Sequence, residues 1–319
     1  MGGDNGFGRV PTEVVDVRLP APPELEIPLP PPWRMALVLF LFTVISTLAV
    51  GTEFALAYAS NRAPFSAGFS FYGAIARNPG LLLLGIPFSF TLLGILLAHE
   101  LGHYFACRYY GIHASFPYFL PAPTIIGTMG AFIRIRSPIV NRTALFDVGL
   151  AGPIVGFLFA VPAAAVAIAY SKLLPAAQVP SLITFGNPPL FHLLAAVLRP
   201  DVPVDQIFLH PVGRAAWVGL FATALNLLPM GQLDGGHIVY AFSSENHRRI
   251  SVACAFLLLL LGRFWEGWYI WAILPLLLGL RHPRLLDRWE PLDRRRLAWA
   301  AIAVIVFLLC FTPTPLATR

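Results

Sequence analysis

His99-Glu100-Leu101-Gly102-His103 sets two imidazoles and a carboxylate inside residues 81–107, a run that is otherwise almost wholly apolar. In a helix, His99 and His103 stand four residues apart and project from one face. Their ring nitrogens can share one Zn²⁺, with Glu100 beside them to take a proton from water. Ionisable groups inside a membrane helix are costly, which makes a functional reading the default. A tetrahedral catalytic zinc needs a third protein ligand and leaves one position open. The run around Asn226, Pro229, Gly231, Asp234, Gly235 and Gly236 offers Asp234. Counted as helices from Leu81 and Arg214 at ~1.5 Å per residue, His99 and Asp234 reach a similar depth of roughly 27–30 Å. Pro229 and the glycine pair would loosen or break that helix, which a bilayer tolerates only around a wet, protein-lined cavity. Cys107, one turn past His103, reads as a packing residue, and His237 as a helix-end histidine.

The elements that must position these groups are membrane spans. The chain is 57% hydrophobic and 12% charged, which excludes an ordinary soluble domain. Its net charge of +6 lies in short loops between apolar runs, the pattern of orientation determinants and not of nucleic-acid binding. Cys107, Cys254 and Cys310 have unrelated spacings and form no disulfide framework. Seven candidate spans cover about 35–57, 81–107, 145–170, 212–242, 248–262, 266–281 and 297–312, the fifth and sixth being short. Residues 1–34 are polar, then proline-rich, and predict an extended tail with no cleavable leader. With the N-terminus cytoplasmic, 15 of the 22 arginines and lysines face inside, as the positive-inside rule prefers. The expected fold is therefore an all-α polytopic membrane protein of about seven transmembrane helices with a small membrane-associated β-hairpin. The hairpin rests on the period-two pattern of Thr128 to Arg136, with Ile133 and Ile135 on one side.

A His-Glu-x-x-His helix, an Ala151-Gly152-Pro153 span and the Asn226 to Gly236 segment, in this order, resemble the site-two protease family of intramembrane zinc metalloproteases. The resemblance covers about residues 81–242. It implies His99, His103 and Asp234 as zinc ligands and Glu100 as catalytic base. It also implies Asn226 as a polar group holding the substrate backbone. The stretch from Gly127 to Gly130 resembles the version found in bacterial and plastid members, making Gly127 and Gly130 further substrate-binding candidates. The interval 171–211 is too short for the PDZ domain of some members.

On this reading the chain divides into four parts. These are a cytoplasmic tail (1–34), the first span and external loop (35–80), a protease core of three spans (81–242) and C-terminal helices (243–319). The implied activity is hydrolysis of a peptide bond in or next to a transmembrane segment of another membrane protein, releasing a cytoplasmic fragment. The partners would be that substrate and the lipid bilayer, in a bacterial cytoplasmic membrane. Other uses of the cluster are a divalent-metal transporter, against which stands the lack of internal repeats, or an inactive scaffold, against which stands the complete residue set. The hairpin has two readings: a strand edge that would hold an unwound substrate by β-addition, or a membrane-surface hairpin with snorkelling arginines. Gly152 and Gly156 predict close helix packing. Asp147 predicts a pair with a loop arginine such as Arg142. His113, His192, His210, His247 and His282 predict solvated groups, and Glu53 an interfacial one.

Overall fold

A computed structural model describes residues 33–66, 68–174, 183–278, 285 and 291–318. Most of the expected tail, and His282, lie outside these residues. The chain is mostly helical. Three helical stretches are long and apolar enough to cross a membrane: Trp33–Ala59, Pro79–Tyr109 and Arg142–Tyr170. The first is α1. The second opens as a 3₁₀ turn, Pro79–Gly85, and continues as α3, Ile86–Tyr109. Between them lies α2, Phe71–Arg77. The third is α4, which starts where the Asn141 side chain accepts the Ala144 N–H at 2.8 Å.

The fourth expected span is not one helix. It divides into α6, Pro211–Asn226, and α7, Asp234–Phe242. Pro229 has no N–H to continue the ladder, and Gly231 adopts φ +58°, a left-handed conformation that favours glycine. The depth count through a continuous helix therefore stops at Asn226, and a turn carries the chain on to Asp234. The three remaining expected spans are α8, His247–Leu261, α9, Gly267–Leu278, and α10, Arg294–Cys310. Of these, α8 and α10 fall short of the ~20 residues that cross a hydrocarbon core upright, and α9 is described only to Leu278. A further apolar helix, α5, Pro189–Leu198, lies in the 171–211 interval.

Strands β1, Tyr118–Pro121, and β2, Thr128–Phe132, pair antiparallel with Tyr118 opposite Phe132 and Phe119 opposite Ala131. An isolated bridge between Ala114 and Ile135 continues the pairing. This ribbon lies along α1, where Phe119 meets Phe40 at 5.1 Å and Ser46 Oγ donates to the Gly127 carbonyl at 2.6 Å. Gly127 has φ +83°, and a Cβ there would come within 2.8 Å of the Ser46 carbonyl. Close approach to α1 thus explains this glycine. Gly130 has φ +98° and open space around it. Elsewhere β3, Lys172–Leu173, pairs with β5, Ile207–Phe208, and β4, Ile183–Phe185, pairs with β6, Leu316–Thr318.

Lipid is as apolar as leucine, so helices in a bilayer associate through close packing and interhelical hydrogen bonds. Both occur here. Gly102 of α3 approaches the backbone of Ala151 so closely that a Cβ would lie 2.6 Å from its carbonyl. Thr47 of α1 and Ser89 of α3 share a buried hydrogen bond of 2.7 Å. Glu53 is buried: it takes two hydrogen bonds from Arg62, at 2.7 and 2.9 Å, and one from the Phe65 N–H.

Long-range contacts sort the loops onto two ends of the bundle. At one end Asp147, near the start of α4, pairs bidentately with Arg296 of α10 and accepts from Tyr110 Oη at the end of α3. The expected partner, Arg142, is not the one used. Burial, then the Asp147 charge, push the Tyr110 phenol up to about 12, so it stays a donor at any physiological pH. At the other end Ser171 Oγ accepts from the His210 N–H, and Trp217 donates to the Gly186 carbonyl. Trp268, at the start of α9, donates to the Pro313 carbonyl just past α10. Replacing Arg296 by Met should therefore loosen α10, costing about 1–2 kcal/mol for a bidentate, partly exposed pair. Asp147→Asn should cost less, because the amide still hydrogen-bonds. Unfolding of the purified protein in mixed micelles measures both, and equal stability of Arg296→Met and the parent would remove the pair as a tie.

Candidate metal centre

His99 and His103 leave one face of α3 and are buried among α4, α6 and α7. Asp234 meets them from the first residue of α7. The three ligand-type atoms form a nearly equilateral triangle. His99 Nε2 and His103 Nε2 are 3.1 Å apart, and Asp234 Oδ2 is 3.3 Å from each. Bonds of 2.0–2.1 Å at tetrahedral angles would put neighbouring ligand atoms about 3.3 Å apart, so the triangle has the dimensions of one face of a zinc tetrahedron. Asp234 Oδ2 is buried without a hydrogen-bond partner. His103 Nδ1 lies 2.7 Å from the Val148 carbonyl. That contact assigns the ring proton to Nδ1 and leaves the Nε2 lone pair aimed at Asp234. Facing lone pairs repel unless a cation or a proton lies among them. Among the described residues this is the cluster of histidine, cysteine and carboxylate groups that fits a metal ion.

The bed under the two rings is made by α4. A Cβ at Gly152 would overlap the His103 ring, and one at Gly156 would stand 3.1 Å from His99 Nδ1. These glycines, expected to serve helix packing, are the floor on which both imidazoles lie. Pro153 withholds an N–H from the Gly149 carbonyl, the residue after Val148, whose carbonyl receives His103.

Glu100 is also buried, with its carboxylate within electrostatic reach of both histidines and Asp234 and facing the backbone N–H of Ile133. The polypeptide just past β2 thus borders the site. Asn226, the last residue of α6, brings Nδ2 to 3.2 Å from His99 Nε2. Gly127 is held against α1, and Gly130 sits on β2. Cys107 is buried with Ile112, Ala144 and Val148 and is outside the trio. His237 packs against Gly149 and is likewise outside it.

Two residues that the sequence reading left aside hold the turn before Asp234. His247 is not a solvated surface histidine: it is buried, and its Nε2 lies 3.0 Å from the Gly231 carbonyl. Ser251, one turn on along α8, accepts the Gly231 N–H at 3.2 Å. Both backbone groups of the left-handed residue are therefore taken by one face of α8. The spacing of His247 from Ser251 was the available signal, but a histidine beside Arg248 and Arg249 reads first as a polar loop. His210 is no free surface group either, since its Nδ1 caps α6 by accepting the Val212 N–H.

Gly152→Ala should displace the His103 ring and weaken metal binding at least about tenfold, since overpacking costs typically 1–3 kcal/mol. Gly94→Ala, on α3 with open space around its Cα, is the matched control. Metal content after competition with a chelator measures both, and equal retention would show that the floor is not tight. Ser251→Ala and His247→Ala should each lower metal affinity about tenfold, in the range of groups that orient ligands, with His247→Gln restoring part of it.

Residues 87–262 match peptidase family M50. The chain is 34% identical over 224 residues to the probable zinc metalloprotease EGY1, chloroplastic, of Arabidopsis thaliana, covering 66% of this chain and 40% of that protein. It is 31% identical over 217 residues to EGY1 of Oryza sativa subsp. japonica, covering 63% of this chain and 36% of that protein. It is 30% identical over 244 residues to the probable zinc metalloprotease EGY2, chloroplastic, of Oryza sativa subsp. indica, covering 73% and 44%. The matched stretches thus span only about two fifths of these relatives. No solved structure matches. The M50 match covers α3 through α8, more than half of the chain and every residue of the triangle, and the chain belongs to peptidase family M50, the site-two protease family.

Proposed function

We propose that this protein is an intramembrane zinc metalloprotease that hydrolyses a peptide bond in or next to a transmembrane segment of another membrane protein. The observation that carries the reading is the 3.1–3.3 Å triangle of His99, His103 and Asp234 with Glu100 beside it. His99 and His103 would hold zinc through Nε2, and Asp234 through Oδ2. Zinc bound there supplies Lewis acidity, making a water acidic near neutral pH and drawing the negative charge that develops on a peptide carbonyl. Glu100 takes the proton from water and delivers it to the leaving amine. Asn226 orients the substrate backbone by its amide.

A helical peptide bond is shielded by its own hydrogen bonding, so a substrate must be unwound before attack. Among the described residues β2 pairs only with β1. Its free edge, with Gly130 on it, would receive the unwound segment by β-addition, beside Ile133 and Glu100. Glycine in left-handed backbone at Gly130 leaves room for a close strand.

The count of passes and the orientation extend this proposal. Besides α1, α3 and α4, the broken pair α6–α7 and then α8, α9 and α10 would make seven passes. The contact of Trp268 with Pro313 supports alternation, because it sets the α8–α9 reversal beside the end of α10. We assign the N-terminus and residues 108–143 to the arginine-rich side, so the cut releases the substrate's portion on that side. The relatives carry chloroplastic names, which lend no support to the expected bacterial cytoplasmic membrane.

Purified protein should hold one zinc per chain, lost in His99→Ala, His103→Ala or Asp234→Ala. Glu100→Gln should retain zinc and cut a membrane peptide about 10²–10⁴-fold more slowly, the usual contribution of a general base. Undiminished cleavage by Glu100→Gln, or metal flux across vesicles with no cleavage at all, would overturn the mechanism. Thiols introduced at 108–143 and 171–211 should label from opposite sides, and labelling of both by one impermeant reagent would refute the topology.

A further inference from the structure

A second polar cluster lies apart from the metal centre, where α4 and α10 begin. Arg142 is the first residue of α4 and Arg294 the first of α10. Both line a cavity of about 270 Å³ whose walls include Phe242, Leu292 and Leu297. Nε of Arg142 is buried and has no hydrogen-bond partner. The acidic residue in the wall, Asp293, is already committed: Oδ1 accepts the Arg296 N–H at 2.9 Å and Oδ2 pairs with Arg296 at 3.1 Å. Two arginines, Arg142 partly buried and Arg294 exposed, and the capped starts of two helices therefore border a small, largely apolar pocket.

That arrangement asks for an anion. A guanidinium fork matches phosphate oxygens, and helix N-termini favour the same charge. Depth indicates the source. The 29 residues of α4 are ~43 Å long, about the thickness of a bilayer with its headgroups, so its first residue lies at the headgroup layer. The apolar walls suit the glycerol and first methylenes of a lipid better than a free ion. We propose that this pocket binds the phosphate of an anionic phospholipid, held between Arg142 and Arg294. This goes beyond the protease reading and does not depend on it.

The full chain in uncharged detergent would be titrated with short-chain phosphatidylglycerol, short-chain phosphatidylcholine and inorganic phosphate. Thermal unfolding and native mass spectrometry read the outcome. Phosphatidylglycerol should stabilise and remain bound, with phosphatidylcholine at least tenfold weaker. Arg142→Gln/Arg294→Gln should weaken phosphatidylglycerol at least tenfold, whereas Arg248→Gln/Arg249→Gln, which removes the same charge from α8, should not. If the first double variant does not fold, Arg142→Lys, which keeps the charge and lacks the fork, should still lose several-fold. Equal response to the two lipids, or wild-type titration by the Arg142 and Arg294 variants, overturns the site. Inorganic phosphate matching phosphatidylglycerol at equal concentration would make the ligand a soluble anion and overturn the lipid assignment.

Discussion

Three lone-pair-bearing atoms are held 3.1–3.3 Å apart inside an apolar helical bundle, and much of the surrounding structure follows from that juxtaposition. Left alone, such groups would turn away from one another or take up protons. Here each is prevented from turning. The Val148 carbonyl and Gly152 fix His103, Gly156 underlies His99, and the Gly231 turn delivers Asp234. The helix pair α3–α4 is thus less a hydrophobic contact than a mould for two imidazoles. In lipid, where apolar packing alone drives little, that mould doubles as the close approach that holds the helices together.

The same economy governs the irregular backbone. A bilayer penalises unpaired N–H and C=O groups, so a broken helix needs local partners. The break between α6 and α7 finds them on α8, and the ribbon of β1 and β2 finds one on α1, where Ser46 donates to Gly127. At these two places protein groups, not lipid, meet the irregular backbone. Those are also the places that reach Asp234 and Glu100.

The parts legible in the sequence were those written in short-range patterns. The four-residue spacing of His99 and His103 needs only a helix, and the apolar runs of α1, α3 and α4 need only length. The ribbon near Thr128 showed its period of two, although its partner strand at Tyr118 carries two aromatics and a proline that hide any alternation. What remained illegible depends on third dimensions. Gly152 and Gly156 announce close packing but not what packs on them. Asp147 finds Arg296 and not nearby Arg142, because α10 returns to the start of α4 after a long excursion. His247 sits beside two arginines and reads as solvent-facing until α8 turns it inward. The continuous helix assumed through Pro229 gave a matching depth for Asp234, yet the chain arrives there by a turn.

The grip of α8 on Gly231 bears on where the working unit ends. Every proposed ligand and the proposed base lie before residue 243, so a fragment ending at 242 would carry all the chemistry. It would lack both groups that occupy the N–H and C=O of Gly231. The turn would then have two unpaired backbone groups beside lipid, and Asp234 would hang from a hinge instead of a clamp. The smallest autonomous piece of this family core should extend through Leu261, the last residue of α8.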